Sequence, residues 1–592
     1  MIGPRGEASD SIHAEKYRGE GESFKEAMNR VAAATQEDDR HYHAFREILF
    51  AMRFLPAGRV QAAMGSTKNV TPYNCFVMPT FHDSFTDGPT LEEIAETPEW
   101  GFPPVSIADM GKLAAITMRK GGGVGYDFST IRPDGDVIRG VGSTTNGPLS
   151  FAPIFDAYCK STSSSGNRRG AQMMVLRVDH PDIEKFIHAK QTAGVLTGFN
   201  ISVAITDKFM NAVRNGDMFE LKFEGKVYRS VDARNLWEMI MRSTYSYAEP
   251  GVLFIDRIND MNNLYYCETI AATNPCGEQP LPPYGACLLG SIALPKYLVK
   301  SDSGAYNFDY IQLKTDIYEI VTATDNVIDR ARYPLPEQQQ EAQGKRRMGI
   351  GYTGLANCIE AMGRPYGSEG FIHIHESIAR FITRHCYLAS VEIAKKKGTF
   401  PLFDRDQYCA SKFVKTLDKD VQEAIYKYGI RNSHLTSIAP TGTISFTADN
   451  MSGGCEPVFS ERHERTVIRK EGTVKIVVQD YGVEFLGVKP RTTAKVTVAE
   501  HLAVLEVASR NVDSAVSKTC NVPTNISWED FKSVYMDAWE RGCKGCTTYR
   551  PPAADEEDIR GAVLVSLDVE DADEGATCLI GPDGQKTGPC GD

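Results

Sequence analysis

The sequence lacks the features that mark several specialised classes of protein. It has no run of roughly 20 apolar residues that could cross a bilayer, and its polar, acidic start does not contain the apolar core of a signal peptide. It also has no basic excess, because 65 Lys and Arg stand against 77 Asp and Glu, a net charge of −12, which argues against a small basic nucleic-acid module. We therefore expect a cytoplasmic protein that binds neither membranes nor nucleic acids.

Cysteine is sparse as well. With 14 cysteines in 592 residues, the chain is too dilute in cysteine for a disulfide scaffold, so a cysteine in an unusual setting is better interpreted as catalytic, redox-active or metal-binding. Hydrophobic residues make up 42% and charged residues 24%, which is typical of a globular protein with a large core. Disorder throughout the chain is therefore excluded.

Three regions with different patterns follow one another along the chain. Residues 1–70 carry apolar residues at helical spacing and predict a helical N-terminal region. Residues 71–550 alternate short strand-like runs with helices, one of them predicted at 501–519, and predict an α/β domain with a mostly parallel sheet or barrel and an inserted hairpin at 466–482. Residues 551–592 are acidic and then rich in glycine and proline, which predicts a flexible tail.

The segment TNPCGEQPLPPYGAC, residues 273–287, contains the most informative chemistry. Asn274, Cys276 and Glu278 occupy alternating positions, so an extended backbone would place an amide, a thiol and a carboxylate on one side. The glycines and prolines around them exclude a long helix and favour a loop that delivers these groups into a cavity. A proline-rich turn with an incidental cysteine is the alternative that local chemistry leaves open.

These residues closely resemble the ribonucleotide reductases, especially the adenosylcobalamin-dependent class II enzymes. The resemblance rests on NPCGEQPL and the following YGAC, and it extends over roughly residues 50–552 in strings that keep the family's order, including RFLPAGRV, NCFVMP, KGGGVGYDFSTIRP, NRRGAQMMVLRVDHPDIEKFI, FNISVAITDKFM, RRMGIGYTGLANCIEAM, NSHLTSIAPTGTIS, GCEPVF and GCKGCTTYRP. It implies a ten-stranded α/β barrel in which Cys276 lies on a loop threading the centre.

The resemblance also implies the roles of five residues. Cys276 would become the thiyl radical that abstracts the ribose 3′-hydrogen, Glu278 would accept the proton of the 3′-hydroxyl, and Asn274 would orient the sugar hydroxyl. Cys75 and Cys287 match the family's reducing pair, which supplies two electrons by closing to a disulfide.

Substrate contacts are expected around a phosphate-binding turn. PTGTIS, residues 440–445, has the composition of a turn that leads into a helix N-terminus, where backbone N–H groups bind phosphate, although an ordinary N-cap is the alternative. The glycine run 121–123 favours a close backbone approach to the nucleotide. By position in the family, the substrate-binding residues are Asn74, Gly122, Pro275, Gly277, Pro440, Thr441, Gly442, Thr443 and Ile444.

The source of the radical separates the classes. Class I large subunits carry two adjacent tyrosines near the end of the barrel, whereas residues 546–550 of this chain read CTTYR, with one tyrosine. The resemblance therefore implies a vitamin B12-dependent ribonucleoside-diphosphate reductase with adenosylcobalamin as cofactor, no protein metal site and no radical subunit. A class I large subunit and a catalytically inactive nucleotide-binding regulator are the alternatives.

Allosteric control is expected at a second nucleotide site on a homodimer interface. HDSF at 82–85 and the loop 163–172 resemble the family's specificity site for a deoxynucleotide or ATP effector, with contacts from Asp83, Arg168, Arg169 and Gln172. The region before residue 50 lacks the basic string of an ATP cone, so we expect no overall on/off control by ATP and dATP.

The catalytic disulfide must be reduced after each turnover. By the resemblance, a cysteine pair near the C-terminus passes electrons from thioredoxin or glutaredoxin, and Cys578 with Cys590 is the favoured pair. The CxxC formed by Cys543 and Cys546 is the alternative shuttle, and a zinc knuckle built from all four cysteines is a third interpretation.

Overall fold

The computed structural model of the chain describes residues 2–98, 101–138, 142–162, 171–192, 194–469 and 472–550, and the side chains of 463–476 are not described. The described chain forms two compact units. Unit 1 contains the described residues up to Asn74 together with Met261–Tyr266 and Cys287–Asn521. Unit 2 contains Cys75–Asp260, Cys267–Ala286 and the described residues from Val522 to Arg550.

Unit 1 is rich in helices. Its α-helices are Glu7–Tyr17, Phe24–Thr35, Asp39–Phe50, Gly58–Ala63, Tyr310–Arg330, Pro336–Lys345, Leu355–Ala361, Glu369–Lys397, Arg405–Ala410, Lys419–Tyr428, Gly442–Thr447 and Val498–Arg510. Its strands are Phe54–Pro56, Leu289–Ala293, Leu298–Lys300, Tyr306–Phe308, Gly349–Thr353, Arg462–Arg469, Gly472–Gln479 and Thr519–Asn521.

Local capping explains where two of the first helices begin. The Ser23 hydroxyl accepts a hydrogen bond from the backbone N–H of Glu26, and the Glu26 carboxylate accepts one from the backbone N–H of Ser23. The Asp38 carboxylate likewise accepts from the backbone N–H of His41 over 2.7 Å. Such caps satisfy N–H groups that have no partner within the helix, so the helix starts follow directly from local sequence.

The central sheet of unit 1 joins five chain segments. Leu289–Ala293 pairs antiparallel with Phe54–Pro56 and parallel with Gly349–Thr353. Parallel bridges then connect Ile350 to Thr436 and Ile438 to Val516. The segments around 436–438 and 516 therefore continue the sheet, although they are too short to count as regular strands.

The helix predicted at 501–519 is wrong in its second half, because Val498–Arg510 ends nine residues earlier. The Asp513 carboxylate accepts hydrogen bonds from the backbone N–H groups of Leu435 (2.7 Å) and Thr436 (2.9 Å), and Val516 pairs with Ile438. Pairing with a distant segment thus overrides the local helical pattern. The predicted hairpin at 466–482 is confirmed, since Arg462–Arg469 and Gly472–Gln479 pair antiparallel.

Unit 2 has an open, mostly parallel sheet. The strands Cys75–Val77, Gly123–Asp127, Gln172–Arg177, Phe199–Ile205 and Gly251–Phe254 are parallel neighbours in that order, and Gly545–Tyr549 pairs antiparallel with the last. Its other strands are Met218–Phe223, Lys226–Asp232, Ala272–Thr273 and Pro280–Leu281, and the short strand Ala286–Cys287 falls where the chain passes between units. Its helices are Leu91–Ala95, Ile107–Arg119, Ala152–Ser161, Ile183–Ile187, Asp207–Asn215, Ala233–Tyr247, Ile255–Asp260 and Trp528–Glu540.

Burial of both faces explains the composition of the parallel strands. Met174, Val175 and Leu176 are consecutive and all fully buried, as expected where helices cover a parallel sheet on both sides. The described residues therefore form mixed α/β structure. In the part of the chain that the structure describes, no helix combines the length and the apolar character that a membrane crossing requires.

Candidate active site

The loop that carries Cys276 stands on a short two-stranded ribbon in unit 2. Thr273 pairs with Pro280, and Ala272 with Leu281. Between these strands the backbone N–H of Gly277 donates to the carbonyl of Asn274 over 3.1 Å, and Gly277 itself has φ +80°. The segment is therefore a tight turn and not the extended chain that would align alternating side chains on one side.

The turn brings Asn274 and Glu278 into direct contact. Asn274 Nδ2 donates to Glu278 Oε1 over 2.8 Å, and Asn274 Oδ1 accepts from the backbone N–H of Gln279 over 3.0 Å. The second bond fixes which end of the amide faces the carboxylate, because only the oxygen can accept. Asn274 and Glu278 are 0% and 2% exposed, whereas Cys276 between them is partly exposed.

The strand Gly123–Asp127 supports this turn by close backbone approach. A Cβ atom built on Gly123 would lie 3.2 Å from Cys75 Sγ and 3.3 Å from Pro275 Cγ, and one on Gly125 would collide with the carbonyl oxygen of Thr273. Cys75 and Pro275 therefore flank the same point of the strand. Gly123 of the predicted glycine run therefore lies against the protein's own loop, and the close approach of this run to the nucleotide stays a prediction.

Asn200 is a further contact of the turn that sequence reasoning missed. Its side-chain amide donates to the carbonyl oxygen of Pro275 over 3.1 Å from the strand Phe199–Ile205. The string FNIS contains this residue, but nothing local distinguishes it from any polar residue at a strand start. Gly122 packs under the Phe76 ring, since a Cβ there would lie 2.7 Å from a ring carbon, and its role toward substrate stays a prediction.

Two of the other candidates lie together in unit 1. The backbone N–H of Asn74 donates to the carbonyl oxygen of Cys287 over 3.2 Å. Cys287 is fully buried, and Asn74 is 7% exposed. The pairing of Cys75 with Cys287 as a reducing dithiol stays a prediction.

The predicted phosphate turn is also in unit 1. Thr441 precedes the short helix Gly442–Thr447 and has a left-handed backbone with φ +59° and ψ 22°. Thr441, Thr443 and Ile444 are 0%, 5% and 2% exposed. The predicted turn into a helix is therefore present, and the binding of phosphate by Pro440, Thr441, Gly442, Thr443 and Ile444 stays a prediction.

The predicted effector contacts fall in unit 2 or outside the described residues. The Asp83 carboxylate accepts from Arg132 Nε over 2.6 Å and from the backbone N–H of Arg132 over 3.1 Å. Gln172 is buried and its side chain bonds to the Tyr126 hydroxyl (2.8 Å) and the Phe155 carbonyl (3.1 Å). Arg168 and Arg169 lie outside the described residues, so the effector site remains a prediction.

Of the four candidate shuttle cysteines, two lie among the described residues and two lie outside them. Cys543 and Cys546 are 0% and 4% exposed, and Cys546 lies on the strand Gly545–Tyr549 opposite Val252. Cys578 and Cys590 lie outside the described residues. The burial of the CxxC pair disfavours it as the first contact of an external reductant, since thiol exchange needs access to the sulfur.

Comparison with known proteins identifies the family. The family model described as the ribonucleotide reductase barrel domain matches residues 104–549. The chain therefore belongs to the ribonucleotide reductase family.

Several of its relatives are named as vitamin B12-dependent members of that family. The vitamin B12-dependent ribonucleoside-diphosphate reductase of Mycobacterium tuberculosis (strain CDC 1551 / Oshkosh) is 33% identical over 581 residues, which cover 91% of this chain and 77% of that protein. The enzyme of the same name from Thermoplasma acidophilum is 30% identical over 560 residues, 89% of this chain and 67% of that protein. The vitamin B12-dependent ribonucleotide reductase of Streptomyces coelicolor is 27% identical over 529 residues, 75% of this chain and 55% of that protein.

Proposed function

We propose that the chain is an adenosylcobalamin-dependent ribonucleotide reductase that converts ribonucleoside diphosphates to 2′-deoxyribonucleotides and so supplies DNA precursors. The relatives from M. tuberculosis and T. acidophilum are named vitamin B12-dependent ribonucleoside-diphosphate reductases. The observation that carries the proposal for this chain is the buried pair of Asn274 and Glu278, 2.8 Å apart on either side of Cys276 in one turn.

The turn leaves room for a cofactor beside the thiol. Cys276 is partly exposed, and a Cβ built on Gly277 meets no described atom within 4 Å apart from those of its two chain neighbours. The lack of a side chain at Gly277 would leave space for a cofactor that acts on Cys276. When bound, adenosylcobalamin supplies the one-electron chemistry that ordinary side chains do not provide, through homolysis of its Co–C bond.

Cys276, Glu278 and Asn274 have different roles toward the ribose in this proposal. As a thiyl radical, Cys276 takes the hydrogen atom from C3′ and returns a hydrogen atom after the reduction. Glu278 accepts the 3′-hydroxyl proton. One amide hydrogen of Asn274 is used in the bond to Glu278, which leaves its second hydrogen to orient the sugar hydroxyl.

Cys75 and Cys287 supply the reducing equivalents in this proposal. The 2′-hydroxyl leaves as water, a step that consumes two electrons and two protons, and two thiols provide both when they close to a disulfide. The position of Cys75 beside Pro275 at Gly123 supports its role near the radical cysteine. The assignment of Cys287 as its partner rests on the family match.

Further parts of the proposal rest on the family. Residues 440–444 would bind the substrate phosphates together with contacts from Asn74, Gly122, Pro275 and Gly277. The ten-stranded α/β barrel, with Cys276 on a loop that threads its centre, is likewise proposed from the family. The division into 1–70, 71–550 and 551–592 is kept as a prediction.

We propose a cytoplasmic homodimer that binds a deoxynucleotide or ATP effector and is reduced by thioredoxin or glutaredoxin. Asp83 would contact the effector from a site where Arg132 already holds its carboxylate, and Arg168, Arg169 and Gln172 would read it. Cys578 and Cys590 would carry electrons to the catalytic disulfide.

Two alternatives make different predictions. A class I large subunit would need a second, metal-containing subunit, but residues 543–550 contain a single tyrosine, Tyr549. An inactive regulator would have no need for the Asn274, Cys276 and Glu278 turn, because nucleotide binding requires neither a thiol nor a proton acceptor.

One experiment separates the proposed function from both alternatives. Purified protein is incubated with a ribonucleoside diphosphate, a small dithiol and adenosylcobalamin, without any other subunit, and deoxynucleotide is measured. We expect product from the wild type and none from Cys276→Ser, which keeps the size of the side chain but cannot form a stable one-electron intermediate at sulfur. Absence of wild-type product in the presence of cofactor would contradict the proposal.

A further inference from the structure

Thr441 has a backbone conformation that needs support from its surroundings. It lies in the left-handed region with φ +59°, which is a genuine outlier for a β-branched residue. Its side chain is fully buried. Strained residues of this kind persist only where neighbouring groups determine their conformation, and they cluster at functional sites.

A chain of hydrogen bonds holds the Thr441 hydroxyl. The backbone N–H of Gly454 donates to Thr441 Oγ1 over 2.7 Å, and the Thr353 hydroxyl donates to the carbonyl oxygen of Ser452 over 3.0 Å. The two threonine hydroxyl oxygens are 2.8 Å apart. Because a hydroxyl has one hydrogen and Thr353 gives its own to Ser452, Thr441 must be the donor to Thr353.

The segment 452–454 packs on the phosphate turn too closely for side chains at two positions. A Cβ on Gly453 would lie 2.7 Å from the Pro440 carbonyl oxygen, and one on Gly454 would lie 2.7 Å from the Ala439 carbonyl oxygen. The backbone N–H of Ser452 is itself fixed by Asn357 Oδ1 at 2.7 Å. The chain of hydrogen bonds is therefore anchored at both ends.

We propose that Thr353 is a positioning residue for the substrate phosphate site, an inference that rests on the proposed function. Through its bond to Thr441, Thr353 holds the left-handed turn that leads into Gly442, Thr443 and Ile444 before substrate arrives. The Thr441 hydroxyl hydrogen is committed to Thr353, so Thr441 contributes backbone geometry to phosphate binding and not a hydroxyl donor. A turn set in advance binds more tightly because less conformational freedom is lost on binding.

Replacement of the Thr353 hydroxyl tests this inference. Thr353→Val keeps the shape of the side chain and removes the hydroxyl, whereas Thr353→Ser keeps the hydroxyl. Thr353→Val loses the bond from Thr441 and the bond to the Ser452 carbonyl. We expect it to raise KM for a ribonucleoside diphosphate about tenfold with little change in kcat, as loss of uniform binding predicts. We expect Thr353→Ser to stay within about twofold of the wild type.

The readout that separates positioning from general damage is the dependence on phosphate. The corresponding nucleoside, which has no phosphate, is titrated as a competitive inhibitor of the same variants, and its inhibition constant should stay at the wild-type value. Thr324→Val is the matched control, because the buried Thr324 hydroxyl donates to the Ile320 carbonyl over 2.8 Å within the helix Tyr310–Arg330 of the same unit. It should leave KM unchanged.

Each result decides for or against the role of Thr353. An unchanged KM in Thr353→Val, or an equal weakening of diphosphate binding and nucleoside binding, would overturn the positioning role of Thr353. The proposed function would still stand in that case, because the wild type turns over. If Thr353→Val does not fold, Thr353→Ala removes the same hydroxyl without a second methyl group and must show the same selective loss. Absence of product from the wild type would instead contradict the proposed function itself.

Discussion

The side-chain amide of Asn274 and the carboxylate of Glu278 form a buried 2.8 Å hydrogen bond across the turn that carries Cys276. The bond holds the carboxylate in place while the backbone N–H of Gln279 holds the amide. Both side chains are thus oriented before any ligand is present, which is the arrangement expected of groups that must act in one geometry.

Glu278→Gln should distinguish the role of Glu278 as a proton acceptor from a structural role of its side chain. Glutamine keeps an oxygen that can accept from Asn274, so the melting temperature should stay near that of the wild type. It cannot take the 3′-hydroxyl proton, so kcat should fall by roughly 10²- to 10⁴-fold. Steady-state assays and a thermal melt measure the two effects, and a fall in activity that tracks a fall in melting temperature would argue for a structural role only.

The thiols that the reducing pair consumes can be counted directly. In a single turnover without external reductant, the wild type should lose two titratable thiols for each deoxynucleotide formed, because one disulfide closes per reduction. Cys75→Ser and Cys287→Ser should lose none. Thiol titration of the denatured protein before and after turnover gives the number, and loss of thiols in either variant would assign the electrons to another pair.

The shuttle cysteines should matter only for a protein reductant. Cys578→Ser and Cys590→Ser should retain activity with a small dithiol but lose roughly 10²-fold with thioredoxin, because a tethered dithiol acts at high effective concentration. Cys267→Ser, which replaces an exposed cysteine, serves as the control and should behave as wild type with both reductants. Equal impairment of Cys578→Ser in the two assays would refute the assignment, and a thioredoxin-specific loss in Cys543→Ser would favour the CxxC pair.

A buried carboxyl in unit 1 should make stability depend on pH. Burial raises the pKa of Glu360 to about 7, although the backbone N–H groups of Arg491 and Tyr366 donate to its Oε1. The unfolded carboxyl titrates near its usual value of about 4.3, so between these two values the folded state binds a proton that the unfolded state does not. The stability that this group contributes is therefore present at low pH and lost as pH rises toward and through 7.

Glu360→Gln tests this dependence because glutamine can still accept both backbone hydrogen bonds. We expect a higher melting temperature than the wild type at pH 8, a smaller difference at pH 5 and no difference below about pH 4, where the unfolded carboxyl is also protonated. Glu423→Gln, at an exposed helical position, should show no such pH-dependent difference. A constant offset between Glu360→Gln and wild type at all pH values would show that titration of Glu360 is not the cause.

Sequence patterns located the chemistry of the site but not its geometry. The residue types and spacing in NPCGEQ pointed to Asn274, Cys276 and Glu278, and the glycine run pointed to close backbone approach. The alternation argument assumed an extended chain, whereas pairing of Thr273 with Pro280 forces a turn. The two residues that flank the loop must pair for this turn to form, and no local sequence pattern distinguishes such a turn from an extended loop.

Residues that act over long chain separations escaped sequence reasoning. Asn200 and Pro275 are 75 positions apart, and Thr353 and Thr441 are 88 apart. A threonine at a strand end and an asparagine at a strand start are common in any α/β protein. The one available signal was the Gly453-Gly454 pair, which the close packing against Ala439 and Pro440 requires.

The sequence by itself determined the mixed α/β character, the family and the reactive groups, because helix caps, strand periodicity and reactive side chains are properties of short segments. The tertiary structure alone decided that the Cys276 loop closes as a turn against Gly123 and Gly125, that the helix after Val498 ends at Arg510, and that Thr353 supports Thr441. Those outcomes depend on which distant strands become neighbours and in what register, and that choice is made only when the whole core packs.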